Sequence, residues 1–449
     1  MSSHKVAVIG AGSAGTLAAV RLRQLLNDAV QITVYERGSQ AGGRAWDVDF
    51  AGTTIEIGGT VLHSTGRHTM DLMKLTGAEE GHYTSGISGD DKTFWFWTDK
   101  GFVVKTGDSL PSMALGIVKH VGPFSALRVT MSVQKVAKKW TGIYALQDAG
   151  QTFDTPQQML SALGLNAETG VSVRDELHNH HVNSRMIDDV VVPIVHNMYN
   201  QGGELNSLAG QVGLAGAGLA GGYLFSVKGG NRTLFSQALA KIEADVQLNT
   251  AVTRIAGATN SDGGLTWTLT TSSGSSQFDA VVLAAPLALA DLELTLDGTP
   301  LSVSVYPYQQ VNTTLVVGEL APEYFGLPAG AKLPGNFFVA DSAKQPFKSL
   351  GITGFSPVYQ QRIYKIFSAE RKMSDELLAR IFSSVSAVHR HVWRGAYPVL
   401  PAGIDHVPFI LAPGLTYGCA FETAAGAVEV EAVGGYNAGS LAANALRLK

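Results

Sequence analysis

Six residues near the N-terminus, Gly10-Ala11-Gly12-Ser13-Ala14-Gly15, are the first whose types and spacing imply chemistry. Gly10 suits a tight turn, Gly12 lets a pyrophosphate approach the backbone, and Gly15 lets a helix pack closely on a sheet. A helix starting at Ser13 and Ala14 presents N–H groups and the positive end of its dipole to the phosphates. Glu36 lies 21 residues beyond Gly15, where a carboxylate at the end of a second strand holds ribose hydroxyls. The combination predicts a dinucleotide site and by itself admits either FAD or NAD.

The elements that must position these residues surround them. Lys5 to Ile9 is a β-branched apolar run ending at glycine. Residues 13–26 place Leu17, Ala18, Val20, Leu22 and Leu25 at helical spacing, and Gln31 to Tyr35 is the second strand. This is the β-loop-α-β opening of a doubly wound sheet. Three later stretches read as returns to it: Val246 to Ile255 with 267–271, Phe278 to Ala285, and the segment from Gly414, a strand followed by an Ala-rich helix. The intervening segments carry amphipathic helices at 124–140 and 374–391 and aromatic strands such as FWFW at 94–97. The expected division is a nucleotide domain built from 1–60, 226–300 and 395–449. A substrate domain, 61–225 and 301–394, is inserted into it.

Composition narrows the function. The 449 residues exceed one ordinary core, and 45% apolar residues with 51 glycines describe a globular interior with many close backbone approaches. A net charge of −4, with no long Lys or Arg run, argues against nucleic acid as a partner. The single cysteine, Cys419, excludes an intrachain disulfide and a multi-cysteine metal centre, and no metal is expected. The N-terminus has no basic stretch followed by an apolar run and a cleavage site, so the expectation is no signal peptide and a cytoplasmic protein. Residues 205–227 carry no charge and are rich in Gly and Ala, but include Asn206, Ser207 and Gln211. Small residues contribute little transfer energy, so this stretch reads as the wall of an apolar site rather than a transmembrane span.

The residues after the dinucleotide loop resemble the flavoprotein group of amine oxidases and phytoene desaturases. Glu36-Arg37 is followed by Gly42-Gly43-Arg44, and the resemblance implies a loop against the FAD diphosphate, with Arg44 in contact. GTTIEIGGT at 52–60 is similar to the strand and turn that pass under the isoalloxazine, implying Gly58, Gly59 and Thr60 as flavin neighbours. NTAVTRI resembles the segment whose backbone, near Val252, holds adenine, and FDAVVLAAP resembles the strand closing the core. The resemblance favours FAD over NAD. It implies an α/β fold, a Rossmann-type FAD-binding domain of glutathione reductase kind with an inserted α+β substrate domain.

Three further blocks resemble one family, prenylcysteine oxidase, also called prenylcysteine lyase. They are MYNQGGELNSLAGQVGLAGA at 198–217, LFSVKGGN at 224–231, and AYPVLPAG at 396–403 with the C-terminal LTYGCAFETAAGAVEVEAVGGYNAGSLAA. The resemblance implies an FAD-dependent oxidase taking a hydride from the sulfur-adjacent allylic carbon of a prenylcysteine thioether. Water then adds, the hemithioacetal collapses to an aldehyde and a thiol, and O2 reoxidises the flavin to give hydrogen peroxide. Such chemistry asks the protein mainly for position and a dry apolar channel.

The same resemblance implies roles for residues. Glu422 is expected at the ribityl chain, and Ala424 to Ala427 at a helix start aimed at the flavin pyrimidine. Tyr199 and Gln201 are expected to line the site and Tyr397 and Tyr417 to flank the flavin face, with His196 or His406 as candidates for activating water. Cys419 is expected to be a buried inert thiol, which leaves FAD non-covalent. Arg67 and His68 are candidates for receiving a substrate carboxylate. Lys228 is a candidate near flavin N5, with an exposed loop position as the alternative. Asn231 is expected to cap a helix beginning near Thr233. The implied partners are a hydrophobic small molecule and O2, and contact with a membrane surface stays open. Oxidative cyclisation of a prenylated natural product, amine oxidation and non-catalytic prenyl binding stand as alternatives.

Overall fold

The computed structural model describes residues 3–81, 89–107, 110–261, 263–369 and 372–447. A parallel sheet forms around the strand His4–Ile9, which lies between Val30–Tyr35 and Ala280–Leu283. Asp245–Gln247 extends it beyond Val30–Tyr35, and Leu415–Tyr417 extends it beyond Ala280–Leu283. Ile410–Ala412 closes that edge in antiparallel sense. Ala280–Leu283 is buried at every position, as a parallel strand covered on both faces requires.

The helix Ser13–Leu26 links the first two strands and packs along the C-terminal helix Val428–Arg447. The two approach backbone to backbone. A Cβ on Gly435 would fall 2.0 Å from the carbonyl oxygen of Ala14, and one on Gly439 would fall 2.6 Å from that of Ala18. The chain's first and last helices are thereby locked together beside the glycine loop.

A seven-stranded sheet draws strands from both inserted segments. Its order is Phe382–Pro398, Tyr308–Leu320, Gln361–Ser368, Ser349–Ser356, Asn336–Val339, Phe94–Thr98 and Gly101–Lys105. Trp97, Phe325, Phe337 and Phe347 build a separate aromatic core against it. Residues 110–219 are mainly helical, and include Leu110–Val121, Pro123–Trp140, Val192–Tyr199 and Ser207–Leu214. The uncharged stretch 205–227 folds as Ser207–Leu214, a π-helical turn Ala215–Leu219 and the strand Leu224–Val227. No helix among the described residues is long and apolar enough to cross a membrane.

Two segments fold otherwise than their periodicity suggests. Val246 to Ile255 is not one unit. Asp245–Gln247 stays in the parallel sheet, the chain turns at Asn249 with φ of 53°, and Val252–Thr259 pairs with Leu265–Thr271 in a separate five-stranded sheet. The helix expected over 374–391 is confined to Asp375–Ile381, capped by Ser374, whose side chain accepts from the Leu377 N–H. From Phe382 to Pro398 the chain is a strand paired with Tyr308–Leu320. Its β-branched and aromatic residues suit a pleated surface, and cross-strand pairing outweighs the helical spacing.

Candidate active site

One cavity of about 1250 Å³ runs from the parallel sheet to the helical layer and the seven-stranded sheet. It exceeds the ~300–1,000 Å³ usual for a drug-sized ligand, leaving room for a dinucleotide and a second molecule.

The dinucleotide end is built from backbone. Gly10, Gly12, Ser13 and Ala14 border the cavity. The helix Ser13–Leu26 begins at Gly12 without a side-chain cap, so its first N–H groups open toward that space. The Gly42 N–H donates to the Ala11 carbonyl at 2.9 Å, laying the Gly42-Gly43-Arg44 turn across the glycine loop. A Cβ on Gly43 would lie 3.1 Å from the Gly12 Cα. Glu36 Oε2 accepts from the Ala11 N–H at 2.9 Å, and its Oε1 from the Gly38 N–H at 2.7 Å. Ser13 Oγ donates to the Val428 carbonyl at 2.8 Å, joining the loop to the start of the last helix. Arg37, Gly43, Gly58, Gly59, Thr60, Val252 and Ala427 also border the cavity. A glycine cradle that side chains would fill, beside an uncapped helix start, fits a pyrophosphate.

Arg44 borders the cavity from a charged cluster. Its Nη2 and Nη1 donate to the Glu422 carboxylate at 2.7 and 3.2 Å, and Nη2 lies 3.5 Å from Glu431. Tyr308 OH also donates to Glu422. Burial works against the guanidinium's charge, but the two carboxylates more than offset it and hold its pKa above the ordinary value. Burial, then the neighbouring Glu422, pushes Glu431 well up toward its protonated form. The Cys419 thiol, on the cavity wall, is likewise pushed up, by burial first.

The other end is apolar. Val133, Val136 and Trp140 come from Pro123–Trp140, and Leu208, Val212 and Gly216 from 207–219. Phe338, Leu350, Phe367 and Trp393 come from the sheet. Tyr199 and Tyr397 meet edge to face at 5.4 Å between centroids. Both pack on Gly426, where a Cβ would lie 3.3 Å from Tyr397 and 3.6 Å from Tyr199. Burial raises both phenols above their ordinary range.

Lys365 was not anticipated by sequence reasoning. Its Nζ donates to the Glu56 carbonyl at 3.1 Å and to Thr60 Oγ1 at 2.9 Å. Burial lowers its pKa to about 8, opposed by the Glu56 carboxylate. Glu56 is itself raised to about 7, chiefly by burial, with the Asn231 N–H opposing and Asp47 reinforcing the shift. A signal for Lys365 existed: it alternates with Ile363 and Phe367, so a strand places it on the same face as two apolar side chains.

Six expected site residues do not border the cavity. Glu422 stands behind Arg44, and its carboxylate accepts from both guanidinium Nη atoms. Gly15 serves packing, since a Cβ there would fall 1.9 Å from the Gly10 carbonyl oxygen. Gln201 spans the Pro398 carbonyl and the Leu400 N–H. His196 turns away from the cavity, with Nδ1 against the Val339 carbonyl at 2.9 Å and Nε2 3.3 Å from Asp341. Tyr417 OH accepts from the Leu287 N–H. His406 is bound to Thr423 Oγ1 at 2.7 Å, and burial lowers it to about 4.

The remaining candidates are also engaged elsewhere. Arg67 pairs with Asp148, His68 with Gln147, and the exposed Lys228 with Glu79. Ala424–Ala427 precede the last helix rather than opening it, for the helix begins at Val428. Asn231 is the first residue of Asn231–Lys241, whose N-cap is Gly230. Its side chain accepts from the Val227 N–H and donates to the Gly59 and Thr60 carbonyls, pinning the turn on the cavity wall.

Comparison with known proteins places this geometry. Residues 115–449 match the prenylcysteine lyase family, and residues 8–75 match an NAD(P)-binding Rossmann-like domain. The chain is 30% identical to farnesylcysteine lyase of Arabidopsis thaliana, over 97% of this chain and 87% of that protein. It is 27% identical to prenylcysteine oxidase 1 of Bos taurus, over 98% and 88%. Among solved structures, a triple mutant of putrescine oxidase superposes with a TM-score of 0.67 at 17% identity, covering 100% and 99% of the two chains. Cyclohexylamine oxidase from Brevibacterium oxydans IH-35A gives 0.63 at 16% identity, covering 99% and 100%. The fold is therefore that of the flavin-type amine oxidases.

Proposed function

The chain belongs to the prenylcysteine lyase family, and we propose that it is an FAD-dependent oxidase that cleaves a prenylcysteine thioether to an aldehyde, a free thiol and hydrogen peroxide. The observation that carries this reading is the single cavity joining a pyrophosphate cradle to an apolar chamber. Bound FAD would accept a hydride from the sulfur-adjacent carbon and pass the electrons to O2.

The chain's own residues hold and orient. The backbone at Gly12 and Gly43 receives the pyrophosphate, and Glu36 the ribose. Arg44, fixed by Glu422 and Glu431, supplies a positive charge that cannot swing away. Gly58, Gly59 and Thr60 form a rigid wall, pinned by Asn231 and Lys365. Ala427 leads into the last helix, whose N-terminus favours negative charge at the cavity. Tyr199 and Tyr397 close the chamber, exclude bulk solvent and orient the thioether. Lys365, held by the Glu56 carbonyl and Thr60, places a cationic donor at the chamber wall, where it would hold the water that adds to the oxidised carbon. Cys419, with its thiol pushed up by burial, stays an unreactive thiol, and the cofactor is held without a covalent bond. Residues 1–60, 226–300 and 395–449 carry the cofactor, and 61–225 and 301–394 carry the substrate.

Anaerobic mixing with S-farnesylcysteine tests the reading. The visible flavin band is expected to bleach, and to return with peroxide when air is admitted. A yellow protein that never bleaches rules out the thioether substrate. A protein that stays colourless after FAD is added rules out the cofactor.

A further inference from the structure

We propose that the helical pair Leu110–Val121 and Pro123–Trp140 docks on the surface of an anionic phospholipid bilayer. From Leu110 to Trp140 the chain carries Lys119, Arg128, Lys135, Lys138 and Lys139 and no Asp or Glu, within a protein of net charge −4. The same helices expose large apolar side chains: Phe124 is 73% exposed, Met131 59%, Leu127 57% and Leu115 53%. Phe124, Leu127 and Met131 are spaced by three and four residues, so they form one outward stripe. A lone exposed apolar residue is ordinary, but a stripe flanked by cations marks an interaction surface.

The inner face of this helix belongs to the apolar chamber. Val133, Val136, Ala137 and Trp140 border the cavity. The adjacent segment 215–223, which packs against the helix, repeats the arrangement. Ala215, Gly216 and Ala220 border the cavity, while Ala217, Gly218 and Tyr223 face out. The chamber is therefore one helix away from an apolar, cationic outer surface.

Charge complementarity selects the occupant. Arg128 is partly engaged by the His181 carbonyl, Lys139 by Glu168, and His120 by Asp189. Lys119, Lys135 and Lys138 add three more cations on long stems. Such side chains reach lipid phosphates while the apolar stripe enters the headgroup–acyl boundary. An apolar protein surface would satisfy the stripe but not the cations. A lipid-like substrate could pass from the bilayer to the chamber without crossing water. That last point rests on the proposed function, whereas bilayer binding does not.

Co-sedimentation of the full chain with vesicles tests the docking. Partition onto phosphatidylcholine vesicles containing phosphatidylserine is expected, weakening as salt is raised. The triple variant Phe124→Glu, Leu127→Glu, Met131→Glu is expected to bind on the order of a hundredfold more weakly. Its circular dichroism and flavin content should match the parent, because all three side chains are exposed. No partition by the parent, equal partition by the triple variant, or equal binding to vesicles of phosphatidylcholine alone each overturns the proposal. Failure of prenylcysteine oxidation would leave these results untouched, so the two readings fail separately.

Discussion

The two ends of the cavity are made differently. The dinucleotide end is backbone, glycine and fixed charge, and its loops come from short contiguous runs. The chamber is volume, enclosed by single side chains from separate helices and strands. At the first end a side chain in place of a cradle glycine is wrong, and at the second the size of each side chain is the specificity. Gly12→Val tests the first half of that contrast. A Cβ at Gly12 meets only the Gly43 backbone, at 3.6 Å and beyond, so the empty fold tolerates it while the larger side chain fills the cradle. Complete loss of flavin absorbance with unchanged circular dichroism is expected. Retention of flavin would show that the loop is not the cradle.

Arg44→Met gives the next largest effect. It leaves Glu422 and Glu431 buried without their cation, which costs about 3–5 kcal/mol, read by chemical denaturation at neutral pH. Lowering the pH should narrow the gap between variant and parent, since protonation relieves the uncompensated charge. Arg44→Lys should recover only part, because an ammonium lacks the planar fork that serves both carboxylates. A variant as stable as the parent would mean that the cluster is open to solvent.

This contrast also explains what was legible in the sequence. Gly10 to Gly15, Glu36, Gly43 with Arg44, and Gly58 to Thr60 are local patterns, and all but Ala11 and Gly15 come to the cavity. The Arg44–Glu422 pair joins residues 378 positions apart, and no local spacing encodes it. Tyr199 and Tyr397 were recognisable one by one, but their edge-to-face meeting depends on the fold. Gln201, His196 and His406 were singled out as polar residues in promising blocks. They are buried, or nearly so, and each satisfies neighbouring polar groups instead. Phe382 to His391 was misread because its apolar residues fit a helical stripe as well as a strand, and only its partner Tyr308–Leu320 decides.

Glu56 sits on the seam between the two ends, beneath Lys365 and Asn231. Its folded pKa of about 7 lies above the ordinary 4.5. Its protonated form therefore favours the fold: the contribution is full below about 4.5 and is lost as pH rises through 7. Lys365, lowered to about 8 by burial, acts only at higher pH, where it makes stability rise instead. Glu56→Gln keeps an acceptor for the Asn231 N–H and removes the charge. It should flatten the decline in stability between pH 5 and 8 and leave the variant about 2 kcal/mol more stable at pH 8. An unchanged slope across that window would assign the decline to other groups.

The smallest expected effect tests the chamber alone. Gly216 borders the cavity, and a Cβ there would make only ordinary contact, 3.7 Å from Met198 Sδ and Cε. Its backbone lies in the Ala215–Leu219 turn and needs no left-handed conformation. Gly216→Phe should therefore keep fold and flavin while shortening the space for a prenyl chain. The expected result is a rise in KM on the order of fivefold, about 1 kcal/mol, for S-geranylgeranylcysteine and less for S-farnesylcysteine, with kcat little changed. Equal effects on both substrates would mean that the chain does not reach Gly216. A loss of flavin would mean that the two ends of the cavity are not independent, which would break the contrast between them.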